Sequence, residues 1–274
     1  MTAAEASAAT MTPAHTAAPP RGVALVTGAS SGIGAATATA LARRGYRVIV
    51  HGRDEKATAA VAVAVDGVPV CADLALEGET ERLAERALEV GRGRVEVLVN
   101  NAGFGWYGDF DGIPAGTAER LLAVNLAAPI ALTRALLPGM RERGAGRLVF
   151  LSSIAGQVGV AGEAAYAATK AGLHCFADSL RSELRGTGVG VGVVVAGVIA
   201  TPFFERRGTP YARRWPKPIP TEVAADAVVR CVERGAAEVY VPRWLRVPVA
   251  VQGVAPGVYR WLDERFGGEG VVGV

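Results

Sequence analysis

The stretch GVALVTGASSGIG, residues 22–34, decides how the rest of the chain is read. An apolar β-rich run, GVALVT (22–27), passes directly into a glycine-rich turn, TGASSGIG (27–34), and then into a helical stretch over 33–44. Gly28, Gly32 and Gly34 remove side chains where a backbone must turn sharply and approach a pyrophosphate. The helix N-terminus beyond them favours negative charge. A turn in this setting predicts a phosphate-bearing ligand, with Ser30, Ser31 and Ile33 completing its cradle.

Outward from this turn the chain alternates between two textures. Six further β-rich runs follow: YRVIVH (46–51), VPVCA (68–72), VEVLVN (95–100), RLVFLS (147–152), VGVVVA (191–196) and EVYVP (238–242). Helical stretches are expected at 33–44, 77–90, 117–143 and 163–185. The β-runs are almost continuously apolar, as strands are when helices cover both faces of their sheet. Alternating β and α predicts a doubly wound α/β fold, a parallel sheet of about seven strands with right-handed crossovers. Such sheets bind ligands beyond the carboxyl ends of their strands, so chemistry is expected just after each β-run. Residues 21–274 read as one domain behind a flexible tail, 1–20, which holds a solvated His15.

Composition narrows the function. Of 274 residues half are hydrophobic, 20% are charged and 35 are glycine, enough apolar content for a sizeable core. A net charge of +3 and a pI near 8.9, without a concentrated basic face, argue against nucleic acid. Cys71, Cys175 and Cys231 form no zinc-ligand pattern and no disulfide framework, which suggests reduced thiols in a cytoplasmic protein and no metal. The first twenty residues lack the basic and apolar regions of a secretory signal. No uncharged apolar run reaches the roughly 18–20 residues of a membrane span, so no transmembrane segment is expected. VPVAVQGVAPGVY, after Arg246, comes nearest and is interrupted by Gly and Pro.

Candidate chemistry lies in YAATK, 166–170. Tyr166 and Lys170, four apart on a helix, share a face. Tyrosine ordinarily ionises near pH ~10. An ammonium at ~4 Å, with an effective dielectric near 20, favours the phenolate by about 4 kcal/mol, about three pKa units. Pro129 adds a second local feature. It cannot bond to the carbonyl four residues back, that of Asn125, and so frees that carbonyl for another partner.

These motifs together resemble the short-chain dehydrogenase/reductase family over roughly residues 21–205. The resemblance rests on the G-x-x-x-G-x-G spacing of TGASSGIG, on NNAG within LVNNAG (98–103), on YAATK, and on Ser153 lying 166 − 153 = 13 residues before the tyrosine. It implies a Rossmann-like fold that binds a nicotinamide dinucleotide, and a catalytic tetrad of Asn125, Ser153, Tyr166 and Lys170. Asp73 and Leu74 would lie near the adenine, with Asn101, Ala102 and Gly103 along the cofactor. Ser153 would donate to the substrate oxygen, Lys170 would bond the nicotinamide ribose, and the Asn125 carbonyl would hold a relay water. Gly197, Ile199 and Thr201 would meet the nicotinamide, although Ala196 replaces the proline usual before that glycine. A homodimer or homotetramer is implied as well.

The cofactor is indicated by VIVHGRDE, 48–55. NAD-specific domains end the second strand in an acid for the ribose 2′-hydroxyl, whereas an Arg accommodates a 2′-phosphate. Gly52 stands at the acid's position, Arg53 follows, and Asp54 suits the start of the next helix. NADP(H) is therefore the expected cofactor, with NAD(H) remaining possible. His51 falls near the adenosine end, and His174 reads as a packed helix residue.

Residues 203–220 fall where this family places a flap over its substrate. Phe203, Phe204, Tyr211 and Trp215 suit an apolar pocket, and Arg206, Arg207, Arg213, Arg214 and Lys217 an acidic group. The expected substrate is a small lipophilic ketone or alcohol; the alternative is an acyl chain on a carrier protein or CoA. A non-catalytic NADP-binding protein is the other reading. The apolar extension 243–274 would cover the pocket, touch a membrane surface or, by family habit, form a subunit contact.

Overall fold

A computed structural model describes residues 21–211 and 215–266. The tail expected at 1–20, Arg213 and Arg214, and the last eight positions of the extension lie outside the described residues.

Seven parallel strands form one sheet. β1 (Gly22–Val26), β2 (Tyr46–Gly52) and β3 (Val68–Cys71) step outward in one direction. β4 (Val97–Asn100) returns to the other side of β1, and β5 (Gly146–Ser153), β6 (Val189–Ala196) and β7 (Glu238–Val241) continue from it. The order is thus β3-β2-β1-β4-β5-β6-β7. The chain reverses direction between β1 and β4, where Val26 pairs with Val50 on one side and Val99 on the other. A crevice opens at that switch point beyond the strand ends.

The strands are largely apolar because alternate residues enter two separate cores. Leu25, Ile49, Leu98, Leu148, Phe150 and Val193 face one core, together with α3 (Glu79–Val90), α5 (Ala128–Glu142) and α7 (Ala164–Glu183). Val26, Val50, Val99, Val149 and Val194 face the other, under α1 (Gly32–Ala42), α2 (Glu55–Ala64) and α9 (Thr221–Arg234). Burying each Val, Leu or Ile side chain stabilises the fold by about 1.5–3 kcal/mol.

All seven strands fall where the sequence placed them. Helices α2 and α9, which cover the second core, are among those that lie beyond the helical stretches expected. Asp54 caps α2, its Oδ1 accepting from the Ala57 N–H at 2.9 Å, and Gly235 ends α9 in the left-handed conformation at φ +65°. The stretch expected at 117–143 is α4 (Thr117–Leu122), a π-helical turn over Ala123–Ala127, and α5. Among the described residues this run, Thr117–Glu142, is the one helix long and apolar enough to cross a membrane. The sequence reading passed over it. Its buried stripe, Leu132, Leu136 and Met140, packs into the first core, which accounts for the apolar composition.

Two short helices complete the site's surroundings, α6 (Ala155–Val158) and α8 (Phe203–Arg206). The C-terminal extension folds as α10 (Arg246–Val254) and α11 (Pro256–Phe266), leaving Val247, Val254, Val258 and Trp261 exposed.

Candidate active site

One cavity of about 650 Å3 runs along the carboxyl ends of the strands, from the β1–α1 turn to α7 and α8. At its first end the turn is fixed by positions that only glycine fills. Gly28 and Gly32 have φ +64° and +56°. A Cβ at Gly34 would lie 2.3 Å from the Gly28 carbonyl oxygen and one at Gly28 would lie 2.8 Å from the Ala102 Cα. Gly28, Ser30, Ser31, Gly32 and Ile33 line the cavity, while Gly34 stands behind them and lets α1 close on the turn.

The turn is braced from β4. Thr27, buried, accepts at Oγ1 from the N–H groups of Asn101 (3.0 Å) and Ala102 (2.9 Å). Asn101 returns the contact through Nδ2, donating to the Thr27 carbonyl at 2.7 Å and to that of Gly28 at 3.2 Å. Asn101, Ala102 and Gly103 also line the cavity. Asn101 is thus a strut between two loops as well as a wall residue.

A further brace escaped the sequence reading. Buried His51 accepts at Nδ1 from the Gly28 N–H (3.3 Å), which leaves Nε2 to donate to the Ala72 carbonyl (3.2 Å). Burial lowers its pKa to about 4, against the opposing effects of the Ala72 bond and the nearby Asp73 charge. Asp73 and Leu74 line the cavity beside it. Arg120 on α4 reaches the Asp73 carboxylate at 3.2 Å, a pairing with no local sequence signal.

At Gly52 a Cβ would fall 2.4 Å from Thr58 Oγ1 and 2.8 Å from Ser30 Cβ. The place of an acid at the end of β2 is therefore filled by neighbours. Arg53 is exposed and lines the cavity next to it. The glycine turn, which has no basic residue of its own at Ser31, receives one from α8: Arg206 Nη1 donates to Ser31 Oγ at 3.0 Å.

The chemical end is assembled from β5, α7 and the π turn. Ser153, Tyr166 and Lys170 line the cavity and are all buried. The Ser153 hydroxyl hydrogen-bonds to that of Tyr166. Lys170 Nζ donates to the Leu151 carbonyl at 2.9 Å and lies 5.8 Å from the centroid of the Tyr166 ring. Burial, with the Glu163 carboxylate, pushes the Tyr166 hydroxyl upward, outweighing the downward pull of Ser153 and Arg207. Burial also lowers Lys170 to about 8. Burial thus opposes the lowering expected from the lysine.

Asn125 is fully buried and stands behind the wall rather than on it. Its side chain accepts from the Phe104 N–H (3.1 Å) and donates to the Phe104 carbonyl (2.9 Å) and to Thr169 Oγ1 (3.2 Å). The backbone here forms the π turn, with the Ala128 N–H bonded to Ala123 O, just ahead of Pro129. A proline without an N–H and a widened turn both disturb the ordinary ladder at this point.

Gly197, Ile199 and Thr201 line the cavity after β6. Ala196 does not leave this turn loose. Gly197 N–H donates to the Val241 carbonyl at 2.8 Å, and Ile219 N–H to that of Val198 at 2.9 Å. Phe203 and Phe204 close the substrate side, the Phe203 ring 5.5 Å from that of Tyr166. Tyr211 packs on Phe204 at 5.2 Å and Trp215 stacks on Trp244 at 5.1 Å, and, contrary to expectation, neither lines the cavity. The segment begins as packed structure, with Phe204 and Arg207 buried. Arg207 is ion-paired to Glu163 and is not offered to an acidic partner. His174 sits on α7 with Nε2 3.4 Å from both Asp178 and Glu238, away from the cavity.

Seven parallel strands, a glycine turn at the switch point and a buried Ser–Tyr–Lys group at the far end of the same cavity define a protein of the dinucleotide-binding fold class. A family model described as short chain dehydrogenase matches residues 22–211, and the chain belongs to the short-chain dehydrogenase/reductase family. An uncharacterized oxidoreductase of Myxococcus xanthus is 38% identical over 85% of this chain and 92% of its own length. Ketoacyl reductase HetN of Nostoc sp. is 32% identical over 87% and 88%. A short-chain dehydrogenase from Sphingobium yanoikuyae, solved in complex with NADPH, superposes with a TM-score of 0.76 at 29% identity, covering 86% of this chain and 95% of its own.

Proposed function

We propose that the protein is an NADP(H)-dependent oxidoreductase that interconverts a lipophilic ketone or aldehyde with the corresponding alcohol. The observation that carries this is the convergence of Ser153, Tyr166 and Lys170 on the same cavity as the glycine turn. The cradle fits a dinucleotide: any side chain at Gly28 or Gly34 would occupy backbone, and the α1 N-terminus favours phosphate. Arg53 beside the filled Gly52 position suits a 2′-phosphate by charge and forked geometry.

NADPH, when bound, supplies the hydride that reduces the carbonyl carbon. The chain's residues manage the proton. Tyr166, kept protonated by burial, gives its hydroxyl proton to the oxygen as negative charge develops there. Ser153 donates a hydrogen bond to the same oxygen and stabilises that charge. Lys170, which burial lowers to about 8, gives up its own proton more readily than an exposed lysine and supports the return of one to Tyr166. Phe104, Phe203 and Phe204 keep water from the reacting groups and favour an apolar substrate.

The test is an NADPH-oxidation screen over ketones, quinones, steroids and acyl thioesters, with Tyr166→Phe as blank. Turnover of free lipophilic carbonyls by the parent and none by the variant supports the reading. Turnover unchanged in Tyr166→Phe overturns it, and no turnover at all leaves a non-catalytic NADP-binding role. The name of the Nostoc relative favours a second reading, a carrier-linked acyl substrate. The internal partners of Arg206 and Arg207 weigh against it. Acyl thioesters outperforming free ketones would reverse that order.

A further inference from the structure

The first residue before α7 is a carboxylate with no part in the proton transfer described above. Glu163 is 2% exposed, lines the cavity and precedes Tyr166 by three residues. Arg207, 6% exposed and just beyond α8, pairs with it. The guanidinium also lies 4.8 Å from the ring centroids of Tyr107 and Phe204, and its Nε donates to the Thr209 carbonyl at 3.2 Å. Burying two charges carries a desolvation cost that their attraction only partly offsets, so stability alone is a weak reason for the pair.

Its location supplies a better one. Arg207 ties the loop after β4 (Tyr107), the start of α7 (Glu163) and α8 (Phe204) into one wall. Gly162 lets that wall close, because a Cβ there would lie 2.9 Å from the Tyr107 ring, and its carbonyl accepts from the Gly108 N–H at 3.0 Å. Phe203, held by this wall, packs against Tyr166.

We propose that Glu163 and Arg207 are a positioning pair for the reaction: their opposed buried charges hold the aromatic wall against Tyr166 and together set the pH at which Tyr166 exchanges its proton. This rests on the proposed role of Tyr166. The groups that act on its hydroxyl are Ser153 from β5, Glu163 at the start of its own helix and Arg207 from beyond α8, while Lys170, one turn on, lies 5.8 Å from the ring centroid. Arg206 turns to Ser31, and Glu205 is exposed. Phe104, Leu121, Ala155 and Phe203, packed around the ring, bring no charge. Glu163 opposes the phenolate and Arg207 favours it, so removing either one unbalances the site in a known direction.

The experiment is the pH profile of alcohol oxidation, which needs Tyr166 as base. Glu163→Gln is expected to move the acid limb down by about one pH unit, and Arg207→Gln to move it up by a similar amount. The double variant returns close to the parent, and Arg207→Lys, which keeps the charge, stays near it. Phenolate absorbance of the NADP+ complex, with Tyr166→Phe subtracted, should give the same midpoints without turnover. Unmoved midpoints in both single variants, with only activity or melting temperature lowered, would overturn the proposal and leave a structural clasp. Should Glu163→Gln not fold, Arg207→Lys against Arg207→Gln decides alone, equal midpoints counting against. Retained turnover in Tyr166→Phe would instead break the functional reading beneath.

Discussion

At one end of the cavity the chain presents backbone, and at the other it presents buried side chains. The β1–α1 turn offers Gly28 and Gly32 with positive φ and a Gly34 that touches backbone, so its shape is fixed by what is missing. The chemical end offers Ser153, Tyr166 and Lys170, each at most 8% exposed, with Asn125 and the Glu163–Arg207 pair behind or beside them. A ligand held by N–H groups and a helix N-terminus needs close approach and little else. A proton donor needs a defined hydroxyl in a dry place, because its acidity depends on every neighbouring charge. The two ends should therefore fail differently when altered.

The largest expected effect is at the chemical end. Tyr166→Phe keeps the ring that packs on Phe203 and deletes the hydroxyl proposed as the proton donor. Turnover should fall by about 10^3-fold, within the usual range for a lost general acid, while the dissociation constant for NADPH and the melting temperature stay close to the parent's. Steady-state kinetics with equilibrium fluorescence titration checks both halves. Loss of NADPH binding in this variant would mean the two ends are not separable.

The same contrast explains what could be read from sequence. TGASSGIG was legible because backbone geometry restricts residue type, and a restriction on type is visible in one chain. Most of the seven strands were legible because they are buried on both faces; β3, at the sheet edge and partly exposed, was legible from its β-rich composition. Tyr166 and Lys170 were legible by helix spacing, and Ser153 by its separation from them. Arg207 was not. In sequence it is one of five basic residues in a stretch that reads as a loose flap, and its partner lies 44 positions away. His51 was placed near the adenosine end, but its bond to Gly28 depends on the register of two adjacent strands. Helix α2 is Ala/Val-rich, with its cap as the clearest signal, and α9 follows directly on the supposed flap. Pairings across distant segments leave no local trace; periodicity and steric restriction do.

Two effects of intermediate size address the cofactor end. His51 has a folded pKa of about 4 against an ordinary value of 6.5, so the unfolded chain binds the extra proton first as pH falls. Stability should therefore be full above pH 6.5 and decline by about 3 kcal/mol on going down to pH 4, with no further loss from this group below that. Urea denaturation across this range should show the slope, and His51→Gln, which retains an acceptor and a donor, should flatten it. A slope that survives the substitution would assign it to carboxylates instead. Gly34→Ala forces a Cβ to 2.3 Å from the Gly28 oxygen. The turn must shift, at a cost of about 2 kcal/mol in stability, with NADPH affinity lost alongside. This is the reverse of the Tyr166→Phe outcome, and intact binding in Gly34→Ala would break the account of that end.

The smallest effect is the most selective. Arg53 is exposed, so its charge is screened by water and salt, and removing it should barely change folding. Its role is assigned by position: it stands beside Gly52, where Thr58 and Ser30 fill the space an acid would need. Arg53→Ala should weaken NADPH binding by about tenfold, equivalent to ~1.4 kcal/mol, and leave NADH binding nearly unchanged. Raising the salt concentration should shrink the parent's preference towards that of the variant, since an exposed phosphate contact is screened. Arg206, already donating to Ser31 on the far side of the turn, supplies the control. If Arg206→Ala lowers the NADPH/NADH ratio and Arg53→Ala does not, the 2′-phosphate is read from the α8 side of the cavity, and the cofactor end depends on a side chain after all.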